Sequence, residues 1–254
     1  MKRFIIIACT LFTSSAFSNP IDDKCASLVT NGAPISSIKT NNQYLCKMNY
    51  AVHYRFDTKT AEYVTEHITV DSISGGSKRQ DDFRPDPEIA VKNQSQLSDY
   101  AGNPYDRGHL SPAGDNTQNA KIMSESFFLS NMIPQTPNNN RGIWKQIESL
   151  VRIWAKEGKD IYVVSGTIYD KGYLTIGTNK VGVPTKVWKV ITDKKTGKSI
   201  GFLFPNEGLP VKDLPKYAMS VKAVETATSI NFSPKLPATD KSEASFSITD
   251  WSGL

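Results

Sequence analysis

Arg107 and His109 stand two residues apart in Asp106-Arg107-Gly108-His109, and Asn140 and Glu148 follow at 31 and 39 residues from the histidine. An imidazole, a neutral amide oxygen, a carboxylate and several arginines are the groups needed to cut a phosphodiester with a hard divalent cation. In such a cut a water loses a proton as it attacks, while charge builds on the phosphoryl and leaving oxygens. A histidine general base supplies about 10²- to 10⁴-fold, whereas barriers of this kind are lowered by up to roughly 20 kcal/mol. Most of the remainder must be electrostatic, from a metal ion and from arginines beside the phosphate. Only three histidines occur in the 254 residues. His109 lies between a glycine and a Leu-Ser-Pro turn, which makes it the first place to look for chemistry.

The downstream residues read in two ways. Glu148 and Arg152 are four apart and share a helix face. Asn140 lies eight residues before Glu148, roughly 12 Å along a helix axis, too far for both to touch one small cation. A cation on the Asn140 amide oxygen, with waters bridging to Glu148, fits that spacing. Mg²⁺ suits it, since it keeps several waters and takes few protein ligands. The bland alternative is a surface ion pair between Glu148 and Arg152 and a helix cap at Asn140, and the residues alone leave both open. His53 and His67 fall in two β-type runs and are read as structural, as cross-strand neighbours. A zinc site there would want third and fourth ligands that the sequence does not offer.

Two blocks of sequence shift the balance. Residues 105–115, Tyr-Asp-Arg-Gly-His-Leu-Ser-Pro-Ala-Gly-Asp, resemble the active-site signature of the DNA/RNA non-specific endonucleases, the Serratia-type ββα-metal nucleases. Residues 127–148, Phe-Phe-Leu-Ser-Asn-Met-Ile-Pro-Gln and then Asn140-Arg-Gly-Ile-Trp and Glu148, are similar to that family's metal-binding segment at close to its spacing. Residues 163–166 look like the strand that follows, and the resemblance covers roughly residues 50–232. It implies an α+β fold with a ββα-metal finger, acting on DNA and RNA with one Mg²⁺, or Mn²⁺ in its place. By the same resemblance His109 is the general base, Asn140 the sole protein ligand of the cation, and Glu148 a holder of its waters. Arg107 and Arg152 would contact the scissile phosphate. Asp106 and Asn131 would shape the substrate site. Arg79 and Arg84 lie where the family often places another phosphate-binding arginine. A non-catalytic module that binds extracellular nucleic acid is the competing expectation. A decayed enzyme would have lost His109, Asn140 or Glu148, and all three are present.

These residues must be carried by a fold. Lys2 and Arg3, the apolar run 4–12 and the small residues Ala16 and Ser18 read as a cleavable export signal over residues 1–18. The run falls short of the roughly 18 apolar residues that span a bilayer, so no further membrane association is expected. An arm over residues 19–48 and a nuclease-type domain over residues 49–254 would follow. Loss of Lys2 and Arg3 lowers the formal charge from +5 to +3, compatible with a polyanionic partner but not demanding one. Cys25 and Cys46 would remain, an even count that reads as a disulfide in a secreted or periplasmic protein.

Residues 50–56 alternate, with Tyr50, Val52, Tyr54 and Phe56 on one face, and pair as a hairpin with the β-branched run 61–70. Residues 74–104 form a long irregular stretch, of the kind that is usually functional or disordered. Residues 127–132 look like a short buried strand. Ile143, Ile147, Leu150 and Trp154 have helical spacing, with N-cap candidates at residues 138–140. Strands are expected at 160–165, 186–192 and 199–204, and a helix within 217–228. Strands and helices mix without a βαβ rhythm, so the class is α+β with a mainly antiparallel sheet.

Overall fold

In the computed structural model, residues 19–236 and 247–254 are described, so the export signal expected over residues 1–18 lies outside them. The alternation of residues 50–56 becomes a strand one in from the edge of a sheet. In chain order the strands are β1 (Ile35–Ser36), β2 (Asn42–Cys46), β3 (Tyr50–Arg55), β4 (Thr60–Ile68), β5 (Asp106–His109), β6 (Met132–Gln135) and β7 (Ile161–Ile168). They continue with β8 (Thr175–Ile176), β9 (Val181–Gly182), β10 (Lys186–Asp193), β11 (Ser199–Pro205), β12 (Ala218–Met219) and β13 (Ile230–Asn231). One antiparallel sheet takes seven of them in the order β12-β11-β10-β7-β4-β3-β2. The expected mainly antiparallel α+β class is thus observed.

The period of two in a strand gives this sheet two apolar faces. Tyr50, Val52 and Tyr54 point to one, where Val163, Val187, Ile191 and Phe202 join them beneath the helix Lys145–Lys156. That helix buries Ile147, Leu150, Val151, Trp154 and Ala155, the stripe its sequence spacing predicted. A fully buried aliphatic side chain contributes about 1.5–3 kcal/mol, so packing rather than intrinsic propensity holds this helix. Residues near the carboxyl end fasten it further: Trp251 packs on Trp154 at 4.7 Å between ring centroids, and Trp154 Nε1 donates to the Ser252 carbonyl at 2.8 Å.

Ala51, Tyr63, Trp188 and Val190 face the other way and are covered by Ile21, Leu28, Val224 and Phe232. The Cys25–Cys46 disulfide forms on this side, tying the amino-terminal arm to the sheet's edge strand. The arm therefore gives β2 to the main sheet rather than lying apart from it.

Several expectations change. Residues 127–131 are not strand: Leu129–Asn131 is a short 3-10 turn, and the strand begins at Met132. His53 and His67 are not cross-strand neighbours, because Tyr63 lies opposite His53 and Glu66 already lies opposite Tyr50 at the strand's first residue. His53 Nδ1 instead meets Glu62 at 2.8 Å, and His67 Nε2 meets Asp160 at 2.6 Å. Among the described residues no helix is long and apolar enough to cross a membrane.

Candidate active site

Strands β5 and β6 pair antiparallel, His109 opposite Met132 and Asp106 opposite Gln135. Strand alternation puts Arg107 and His109 on one face and Asp106 and Gly108 on the other. Gly108 is required there, since a Cβ would collide with the Gln135 side chain. After β6 the chain turns through Asn139–Trp144, breaks helical geometry at Gly142 (φ −104°, ψ −109°) and enters the helix Lys145–Lys156. Two strands and a helix make the ββα finger. Of the N-cap candidates, Asn138 stands at the N-cap position without a side-chain cap bond, Asn139 Nδ2 donates to the Pro205 and Glu207 carbonyls, and Asn140 turns to Asp106.

His109 is buried against aromatic rings, with Phe127 edge-on at 5.2 Å and Phe83 at 5.8 Å between centroids. Its Nε2 is buried without a hydrogen-bond partner. Burial first, and then the charges of Arg79 and Arg107, push its pKa down to about 3. The ring is therefore neutral near pH 7 and able to accept a proton.

The Asn140 Nδ2 donates to Asp106 Oδ2 at 2.9 Å, which leaves the amide oxygen as the group a cation could meet. Asp106 also accepts from Arg141, Nε to Oδ2 at 2.8 Å and Nη2 to Oδ1 at 2.6 Å. Burial acts to raise the Asp106 pKa, but the bonds from Arg141 and Asn140 outweigh it and hold the carboxyl below its ordinary range.

Glu148 sits on the helix's first turn, partly exposed. Desolvation raises its pKa to about 7 against the opposing pull of Lys189 and Arg152, with Asp115 adding to the rise. The surface ion pair between Glu148 and Arg152, one of the two readings left open by the sequence, gives way to a longer-range one. Arg152 Nη1 donates to Asp115 Oδ1 at 2.8 Å and Nη2 to Ser149 Oγ at 3.2 Å. The reason is that Asp115 is only 3% exposed, and a buried carboxylate needs a counter-charge more than a partly hydrated one does. Gly114 admits the guanidinium, as a Cβ there would lie 3.1 Å from Nη1.

Behind these groups lie two that sequence reasoning passed over. Lys189 is buried, with its Nζ 2.5 Å from Ser165 Oγ and 4.6 Å from the Trp144 ring centroid. Glu66 is buried too, accepts from Ser111 Oγ at 2.5 Å, and is pushed up to about 8 by burial and by Asp115. A lysine inside the apolar run Val187-Trp188-Lys189-Val190-Ile191 was the available signal.

The arginines divide. Arg107 is exposed, its guanidinium 4.2 Å over Phe83. Arg79 lies 5.0 Å over Phe127, the ring edge-on to His109, and pairs with Asp81 at 2.7 Å. Arg84 ties its own loop to residues 124–128, with Nη1 donating to Asp82 Oδ2, the Asp82 carbonyl and the Ser124 carbonyl, and its guanidinium 4.2 Å from the Phe128 ring. Asn131 is fully buried, accepting from Ser111 N at 2.9 Å and donating to the Ser111 and Ser126 carbonyls. It braces the turn, with both amide hydrogens taken by main-chain carbonyls.

Among the described residues no group of three or more His, Cys, Asp or Glu is arranged to hold a metal ion. A cation at this finger would rest on the Asn140 oxygen and on water, a hard oxygen set that suits Mg²⁺ or Mn²⁺. The unpartnered His109 Nε2 fits such a site, since a buried nitrogen of this kind calls for a water.

Comparison with known proteins agrees with this geometry. Residues 29–239 match the family model for DNA/RNA non-specific endonucleases. The chain is 32% identical over 218 residues to the mitochondrial nuclease EXOG of Homo sapiens, covering 79% of this chain and 59% of that protein. It thus spans about three fifths of the length of that relative. It is 32% identical over 214 residues to a nuclease of Nostoc, covering 80% of this chain and 77% of that one. Nuclease C1 of Cunninghamella echinulata is also 32% identical, over 215 residues, with 78% and 85% covered. In a crystal structure of the EndoG/EndoGI complex, the matching chain superimposes with a TM-score of 0.76 at 26% identity, covering 85% of this chain and 94% of that one. With a ββα finger and its sequence blocks in register, this chain belongs to the DNA/RNA non-specific endonuclease family.

Proposed function

We propose that this protein is an exported endonuclease that hydrolyses the phosphodiester bonds of DNA and RNA without sequence preference, using His109 as general base and one divalent cation at Asn140. The observation that carries this reading is the unpartnered, neutral His109 Nε2 in a finger whose next element presents the Asn140 amide oxygen. His109 takes a proton from the attacking water, and its aromatic surround keeps it uncharged until then. Asn140 would hold the cation, which would supply Lewis-acid stabilisation of the charge that builds on the phosphate. Glu148 accepts hydrogen bonds from water on the helix side. Arg107, exposed on the same strand face as His109, meets the phosphate charge, and Arg152 adds positive field from the helix. Phosphate and sugar contacts carry no base information, in keeping with substrate breadth.

Export is supported by the charged and apolar leader of residues 1–18 and by the Cys25–Cys46 bridge, which persists in an oxidising compartment outside the cytoplasm. The test is digestion of supercoiled plasmid and of RNA by the full-length enzyme and by His109→Ala, each with and without EDTA. Both substrates should be cut by the parent enzyme, cutting should stop with EDTA, and the variant should be folded and inactive. Cleavage by folded His109→Ala at the parent rate removes the histidine from the reaction.

A further inference from the structure

We propose that Arg141 is a positioning residue: through Asp106 it fixes which end of the Asn140 amide faces the cation. The inference rests on the reading of Asn140 as the metal ligand. An asparagine amide has a donor end and an acceptor end of nearly equal size, so rotation by half a turn would offer a cation the NH₂ group instead of the oxygen. An ionised carboxylate accepts only, so Asp106 can receive the NH₂ end and no other. That requires Asp106 to be held in plane and in reach. Arg141 does so with two parallel bonds, Nε and Nη2 to the two carboxylate oxygens, the bidentate fork that fixes geometry as well as charge.

The same contact joins the hairpin to the turn that follows it, since Asp106 opens β5 while Asn140 and Arg141 lie 34 and 35 residues later. The Arg141 side chain is 72% exposed. Exposed ion pairs contribute little to stability, so the role shows in cation affinity and not in melting. With two of its nitrogens committed to Asp106, Arg141 is poorly placed to grip a phosphate by the same fork.

The experiment is calorimetric titration of Mn²⁺ into the substrate-free full chain, for the parent, Arg141→Ala, Arg141→Lys and Asn140→Ala. It is run alongside the Mg²⁺ dependence and the KM of oligonucleotide cleavage. Outer-shell partners of metal ligands typically govern 10- to 100-fold in affinity. Arg141→Ala should therefore weaken Mn²⁺ roughly tenfold and raise the half-saturating Mg²⁺ to match, with the rate at saturating cation within about twofold of the parent. Arg141→Lys keeps the charge without the fork and should fall between. Unchanged Mn²⁺ affinity with a raised KM for oligonucleotide overturns the proposal, making Arg141 a phosphate contact. If Asn140→Ala loses Mn²⁺ while Arg141→Ala keeps it, the positioning role fails alone. If Asn140→Ala itself binds Mn²⁺ like the parent, the metal-ligand reading fails with it.

Discussion

Trp144 Nε1 donates to the main-chain carbonyl of His109 at 3.1 Å. The residue that precedes the long helix thus holds the residue that ends β5. Both the proposed base and the helix bearing Glu148 are located by one fully buried indole, wedged edge-on to Phe204 and beneath Lys189. The base and the helix cannot drift independently while that bond lasts.

Trp144→Phe retains most of the apolar bulk and deletes the donor. A net hydrogen bond contributes about 1 kcal/mol, and the larger effect should fall on kcat through the freed His109 carbonyl. We expect kcat to drop about tenfold with a small loss of melting temperature, measured by plasmid nicking and by thermal unfolding. A variant that loses stability but keeps kcat would make Trp144 a core residue only.

The two loop arginines should separate in kinetics. Arg79 stands over the ring that flanks His109, while Arg84 is tied to Asp82, Ser124 and Phe128. Arg79→Ala is expected to raise KM several-fold and flatten the salt dependence of binding. Arg84→Ala should instead lower stability by about 1.5–3 kcal/mol, the usual range for hydrogen bonds to charged groups, with KM unchanged. Salt-dependent KM values and urea unfolding of both variants check this, and the reverse pattern exchanges their roles.

The pH profile follows from Glu148. Its carboxyl, raised to about 7, keeps its proton below that pH, so the charge is lost as pH falls through 7. His109, at about 3, stays neutral across the same range. We therefore expect kcat/KM to fall on the acid side of about pH 7 at limiting Mg²⁺. Since a nearby cation favours the ionised form, more Mg²⁺ should move that limb to lower pH. In the metal-free protein the sign for folding is opposite: a raised carboxyl stabilises below its unfolded value of 4.5 and loses that contribution as pH rises to about 7. Rate profiles at two Mg²⁺ concentrations decide, and a limb indifferent to the cation belongs to another group.

Removal of the Cys25–Cys46 bridge, by paired serine substitutions, should cost about 3 kcal/mol in denaturant unfolding. The bridge lies on the sheet face away from the finger, so activity at 25 °C should persist. Loss of activity without loss of stability would contradict that separation.

Local patterns in the chain were readable because they are local. Tyr50, Val52 and Tyr54 announce a strand face, and Ile147, Leu150 and Trp154 a helix stripe, wherever their partners lie. The two motif blocks singled out His109, Asn140 and Glu148, which the fold carries on the strand, turn and helix of one finger. Partner choice across the fold was not readable. Arg152 has Glu148 one turn away, yet it pairs with Asp115, 37 residues distant, because burial sets the demand for charge. Lys189 beside Ser165 and Asn131 against Ser111 are likewise decided by what surrounds them after folding. The break at Gly142, which separates Asn140 from the regular turns carrying Glu148, leaves no mark in the apolar spacing.

Trp251 and Ser252 grip Trp154 from outside, so residues 247–254 act as a splint on the same rod that bears Glu148. A label or surface tether attached there would tug on the finger's helix through an indole pair, whereas one hung from the cystine side would pull on the far wall of the sheet. Where such a protein is anchored thus becomes a lever on the geometry of its finger.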